Sequence, residues 1–236
     1  MQPLLKLKHK LISLKEPLKE RSSSRLIVFD LDHTLISVAS SYLYMKSLYE
    51  RRLVSIKTLI KALLIKWKFF FSPMSLEELH KQVFDKMLKG FSLEALEAHV
   101  EEFLKQLLPK AIYEPAFNEL KAAQERGDYI VLLSSAPDFL VRAFAKYFKI
   151  PNWDSTVYAV DKKRCLCNIA KLMVGSKKKQ RLLEIRRRLG ISKKQTVVYS
   201  DSHDDLPLFL QAGQPVAVNP DRRLAKIAKE FNWRVI

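Results

Sequence analysis

Leu26-Ile27-Val28-Phe29-Asp30-Leu31-Asp32-His33-Thr34-Leu35 is the stretch that decides the fold. Its four leading apolar residues read as a buried strand, and a strand so composed belongs in the middle of a parallel sheet covered on both faces. Open α/β sheets bind ligands in the crevice beyond the carboxyl ends of their strands, where this one carries carboxylates at i and i+2. A chain leaving a strand can aim both groups into one pocket, so that one attacks while the other moves protons. Asp30 is read as the nucleophile, because a covalent aspartyl-phosphate divides a hard displacement into two easier ones. Asp32 is then the acid for the leaving alcohol and afterwards the base for water. The plainer alternative is a strand-to-helix turn in which Asp32 caps the next helix.

Thr196-Val197-Val198-Tyr199-Ser200-Asp201-Ser202-His203-Asp204-Asp205-Leu206-Pro207 repeats the pattern, a β-branched strand running into carboxylates. Converging carboxylates repel one another unless a cation sits among them, and hard oxygen donors beside an oxyanion favour Mg²⁺. Asp201 is the expected direct ligand, with the Asp30 carboxylate and the Asp32 backbone carbonyl completing the metal set. Asp205 falls just inside the following helix and is expected to orient Asp201 or bound water. Its alternative is a helix-start acid complementing the macrodipole, which is all that Asp204 requires.

With both acidic strand ends in place, residues 25–236 resemble a phosphatase of the haloacid dehalogenase-like superfamily, in the subgroup similar to phosphoserine phosphatases. The family's D-x-D-x-T motif is matched by Asp30, Asp32 and Thr34, and its Ser or Thr after an apolar strand by Ser134, which follows Tyr129-Ile130-Val131-Leu132-Leu133. Its lysine lies within Gly175-Ser176-Lys177-Lys178-Lys179-Gln180-Arg181-Leu182, where the pattern K-x-x-x-L selects Lys178 and leaves Lys177 as the alternative. The resemblance implies that Thr34, Ser134 and that lysine bind phosphate. A hydroxyl and backbone N–H groups at a helix start opened by Pro137 would hold the oxygens. The lysine would add positive charge beside the nucleophile.

The expected architecture is α/β: a Rossmann-like, three-layer parallel sheet core with an inserted all-helical cap. Segment 1–24 is a basic tail, 25–39 and 110–236 form the core, and 40–109 forms the cap. Helical spacing is read at Ser40–Arg51, Val54–Phe70, Leu76–Lys89 and Leu93–Leu107, broken at Ser72-Pro73, Gly90 and Pro109. From Tyr129 onward strands and helices alternate: Tyr129–Leu133, Pro137–Phe148, Thr156–Val160, Lys177–Leu189, Thr196–Tyr199, Leu206–Ala212, Val216–Val218 and Asp221–Phe231. The resemblance implies that the cap closes over the site, excluding water and selecting the leaving group.

The net charge of +17 is unevenly spread. Segment 1–24 carries six basic and two acidic side chains, and 51–71 carries six basic and none acidic. Both have apolar residues at helical spacing, the makeup of a helix lying on a membrane surface. The alternative for 51–71 packs Trp67, Phe69, Phe70 and Phe71 inside the cap, with the lysines merely facing water. Lysines recur too often in either stretch for a spanning helix. Segment 171–194 holds ten Lys or Arg against one Glu, but no recognised nucleic-acid module accompanies it, so specific nucleic-acid binding is not expected. Cys165-Leu166-Cys167 suits reduced thiols, and no cleavable signal peptide is evident, which together suggest a cytoplasmic protein, peripheral to the inner membrane surface if the basic stretches bind it.

Mg²⁺-dependent phosphomonoester hydrolysis through Asp30 is the function these readings favour, on a small or amphipathic phosphorylated substrate. Phosphoserine is not expected: Ala39 stands where phosphoserine phosphatases carry a recognition Glu, and the cap lacks their L-x-x-R-V. The alternatives are a phosphotransferase using the same intermediate, a lipid-phosphate phosphatase at a membrane surface, and a catalytically idle binding protein.

Overall fold

The computed structural model describes residues 25–71 and 74–236, so the basic segment 1–24 lies outside it. Leu26–Phe29 forms β1 in the middle of a seven-stranded sheet. Alternation sends Ile27 and Phe29 to one apolar cluster and Leu26 and Val28 to the other, which explains a continuous apolar run with no exposed side. β2 (Tyr129–Pro137) and β5 (Thr196–Ser200), the two neighbours of β1, divide in the same way. With β3 (Asn152–Val160), β4 (Leu166–Lys171), β6 (Gln214–Ala217) and β7 (Arg234–Val235), the order is β4-β3-β2-β1-β5-β6-β7. The Phe29 ring stacks on Tyr199 at 4.4 Å between centroids, and burying such a side chain contributes roughly 2–3 kcal/mol.

Helices cover both faces. α6 (Glu114–Glu125) and α7 (Asp138–Tyr147) pack on the Phe29 side. α8 (Ser176–Leu189), α9 (Leu206–Phe209) and α10 (Arg222–Glu230) pack on the other. The chain builds outward from β1 through β2, β3 and β4, then crosses back to β5 and continues through β6 and β7. That reversal makes the carboxyl ends of β1 and β5 the switch point of the sheet.

Between β1 and β2 lie α1 (Ser40–Glu50), α2 (Ile56–Phe71), α3 (Leu76–Val83) with a π-helical turn at Phe84–Leu88, α4 (Leu93–Glu97) and α5 (Val100–Ala111). Ser75 starts α3 with a reciprocal cap, its hydroxyl accepting from the Glu78 N–H while the Glu78 carboxylate accepts from the Ser75 N–H. Backbone hydrogen bonds tie the insert to the rest of the chain at its base and at its side. At its base, Ser37 N–H donates to Ala111 at 2.7 Å and Tyr113 N–H to Leu35 at 3.0 Å. At its side, Gly90 N–H donates to the Leu166 carbonyl and Leu166 N–H to the Phe91 carbonyl, both at 2.8 Å. Tyr44, Phe103 and Phe139 further join α1, α5 and α7 in one aromatic cluster.

Several sequence expectations need correction. The sheet is not wholly parallel, because β4 returns antiparallel beside β3 as an edge strand, reversed by the turn at Asp161–Arg164. α6 and β7 were not anticipated. β3 begins four residues earlier than expected, at Asn152. β2 runs on to Pro137, so that residue caps α7 rather than opening it. Trp67 is exposed on α2 instead of packing inside the insert, while the side chains of Phe69, Phe70 and Phe71 lie outside the described residues.

Candidate active site

Register alone brings the strand ends together. Phe29 pairs with Leu132 on one side and Tyr199 on the other, so Asp30 stands beside the positions leading to Ser134 and Asp201. The Asp30 N–H continues the ladder to the Tyr199 carbonyl at 2.9 Å, which fixes where its side chain leaves the sheet. His33 then adopts φ +57°, turning the loop so that Thr34 is buried with its hydroxyl 3.5 Å from Asp201 Oδ1. In β2 the register slips between Leu133 and Pro137, and the buried Ser134 hydroxyl accepts the Ala136 N–H at 3.1 Å. Irregularities of this kind re-aim side chains at the ends of strands.

Lys178 enters from α8. Gly175, at φ +43°, turns the chain into the helix so that the third helical residue points inward. Its Nζ lies 2.7 Å from Asp30 Oδ1 and 2.8 Å from Asp205 Oδ2, with all three side chains buried. Lys177 is exposed. Asp205 Oδ2 also accepts the Ser200 hydroxyl at 2.7 Å, so its hydrogen bonds go to the lysine and the serine rather than to Asp201. The Asp32 carboxylate accepts the Ser40 N–H at 3.0 Å at the start of α1, so the helix-start contact considered for Asp32 is present beside the acidic cluster.

Burial pushes the Asp30 carboxyl up to about 7, with the Lys178 ammonium working against the rise and Asp205 adding to it. Asp201 is pushed up to about 8, by burial first and by the Asp30 charge second. Burial likewise raises Asp32, against the pull of Ser40. Burial disfavours the Lys178 ammonium, but Asp205 and Asp30 more than offset this and hold it charged.

Repulsion between Asp30 and Asp201 is what a divalent cation relieves, and both offer hard oxygen donors. Among the described residues no three His, Cys, Asp or Glu side chains form a closed cage. Mg²⁺ is commonly held through one or two carboxylates with water and phosphate filling the remaining positions, so the donors present fit it better than they fit Ca²⁺ or zinc.

His80, on α3 of the insert, was not singled out by the sequence. Burial pushes its imidazole down to about 4, and the Lys178 charge reinforces the shift, which places the ring within electrostatic reach of the acidic cluster. No sequence signal separates it from His99, the other histidine of the insert. Beside it a cleft of about 540 Å³ runs between insert and core, lined by Glu77, Lys81 and Asp85 on one side and Asn168, Lys171 and Lys177 on the other.

A doubly wound sheet with an acidic cluster and a buried lysine at its switch point is the architecture of an enzyme that handles oxyanions. The chain belongs to the haloacid dehalogenase-like hydrolase family, whose model matches residues 27–210. It is 28% identical over 235 residues to a histidinol-phosphatase of Neisseria meningitidis, covering 89% of this chain and 97% of that one. In structure it is similar to a protein of unknown function from Bordetella pertussis, with a TM-score of 0.79 at 22% identity over 91% of this chain and 99% of the other. A substrate-bound phosphoserine phosphatase superposes with a TM-score of 0.69 at 18% identity, covering 91% and 93%. Among the described residues no helix is long and apolar enough to cross a membrane.

Proposed function

We propose that the protein hydrolyses phosphomonoesters by way of a phosphorylated Asp30. In the first step the Asp30 carboxylate attacks phosphorus, the bond from phosphorus to the ester oxygen breaks, and Asp32 protonates the departing alkoxide. In the second step Asp32 takes a proton from water as that water attacks the acyl phosphate, releasing inorganic phosphate and restoring Asp30. Lys178 keeps positive charge against the nucleophile in both steps, and Asp205 and Ser200 hold its place. Thr34 and Ser134 are the neutral donors for the phosphoryl oxygens. A Mg²⁺ ion held by the carboxylates of Asp30 and Asp201 and the backbone carbonyl of Asp32 would neutralise charge on the transferring group.

The observation that carries this reading is the buried bridge from Asp30 through Lys178 to Asp205, which keeps a cation against a carboxylate in a site otherwise crowded with acids. The names of the relatives, two phosphatases with different substrates, support the reaction class and leave the leaving group to the insert. Ala39 at the start of α1 offers no carboxylate for an ammonium group, so the substrate is a phosphomonoester other than phosphoserine, small or amphipathic. The insert acts as the cap over this site. The test is acid-quenched mass spectrometry during turnover of a phosphorylated-metabolite panel with Mg²⁺. A phosphate adduct on the peptide carrying Asp30, lost in Asp30→Asn, is expected. Undiminished turnover in that variant, or equal turnover in excess chelator, overturns the proposal.

A further inference from the structure

Leu53, Ile56, Ile60 and Leu64 are between 48% and 59% exposed, although every one is a large apolar side chain. At 100° per residue they fall within an arc of roughly 80° on α2 and the turn before it, forming one continuous outward stripe. The opposite side of the same helix carries Ile65, which is buried in the main core. α2 is therefore apolar on two sides, and the core accounts for only one of them. Lys57 and Lys61 stand exposed along the stripe, and no acidic residue occurs from Arg51 to Leu76, where six basic ones do.

We infer that this outer face of α2 docks on a bilayer surface carrying anionic lipid headgroups. The apolar stripe would enter the boundary between headgroups and acyl chains while the flanking lysines meet the negative surface charge. Charge decides between possible occupants. Two copies packed stripe to stripe would set Lys57 and Lys61 against their own equivalents with no carboxylate to separate them. A nucleic acid would match the lysines but leave the aliphatic side chains facing phosphate. An anionic bilayer satisfies both features of the face. The inference stands apart from the catalytic proposal, because it requires nothing of Asp30 or of the reaction.

The test is co-sedimentation of the full chain with vesicles of phosphatidylglycerol and phosphatidylcholine, against phosphatidylcholine alone. Binding to the anionic vesicles is expected, weakening as salt is raised. Ile60→Glu with Leu64→Glu should reduce partitioning about tenfold or more. Lys57→Glu with Lys61→Glu should do the same through charge alone. Since all four side chains are exposed, thermal midpoint and turnover of a soluble phosphomonoester should stay at wild-type levels, which separates loss of docking from loss of fold. The inference is overturned if the protein ignores anionic vesicles, or if the Ile60 and Leu64 variant binds them as wild type does and the attraction resides elsewhere in the basic chain. A dimer in sedimentation velocity that the same variant dissolves, without vesicle binding, would overturn it in favour of a second copy.

Discussion

Asp205 and Lys178 are joined at 2.8 Å with both side chains buried, and the same ammonium lies 2.7 Å from Asp30. One cation thus holds both the carboxylate proposed to react and one that the proposal leaves out of the chemistry. Under the proposed reaction Asp205 steadies the lysine beside Asp30, because the ammonium is bonded on two sides.

Lys178→Gln removes that charge and leaves two buried acids facing each other. Turnover should fall by at least about a hundredfold, the scale of a lost transition-state donor. Removing one partner of a buried ion pair should also cost about 3–5 kcal/mol in urea melts. Asp205→Asn should fold and retain measurable turnover, since Asp30 still holds the ammonium. Equal losses in the two variants would contradict the division of roles.

Mg²⁺ should raise the thermal midpoint of the wild-type protein, and above its Kd the rise should continue with the logarithm of its concentration, as for any ligand specific to the folded state. Asp201→Asn should abolish the shift, while Asp205→Asn should largely keep it. The shift is read by calorimetry without substrate, so it tests the donors independently of the chemistry.

His80 is expected to make the protein acid-sensitive. Its folded pKa of about 4 lies below its ordinary 6.5, so as pH falls the unfolded chain takes up the proton first. The stability from keeping the ring neutral is complete above 6.5 and is lost progressively down to about 4. His80→Gln should flatten the fall in thermal midpoint across that window, and an unchanged slope would show that other groups govern it.

Gly213 has no room for a side chain. A Cβ there would stand 2.6 Å from both the Lys193 carbonyl oxygen and Lys194 Cα, backbone that cannot swing aside. Gly213→Ala should cost about 1–3 kcal/mol in a denaturant melt while sparing the catalytic constants, because the clash lies at the amino ends of β5 and β6, away from the acids.

What could be read from the sequence was what strands and their tips encode locally. Asp30 and Asp201 each follow a short buried run, and the spacing of Leu182 from Lys178 picked out the lysine that the structure buries. β4 escaped because only Leu166 among its six residues is buried, so an edge strand with one face on nothing leaves no alternation to detect. α6 escaped because its buried side includes Ala116 and Ala123, too small to mark a stripe. The partner of Asp205 was beyond reach for a different reason: 27 positions separate it from Lys178, and only the packing of α8 beneath the sheet's edge brings them together. Trp67 shows the converse, a residue whose helical period was plain while the direction it faces depended on which side of α2 met the core.

The paired backbone bonds at residues 35–37 with 111–113, and at 90–91 with 166, have a mechanical corollary. An insert bonded at both its root and its far side is held to the core by two separate sets of backbone contacts. The stretch between them runs through α2 and α3, which carry the outward stripe and His80. Because α2 packs on α3, the outward stripe and the His80 ring sit on one helix pair that spans those two contacts.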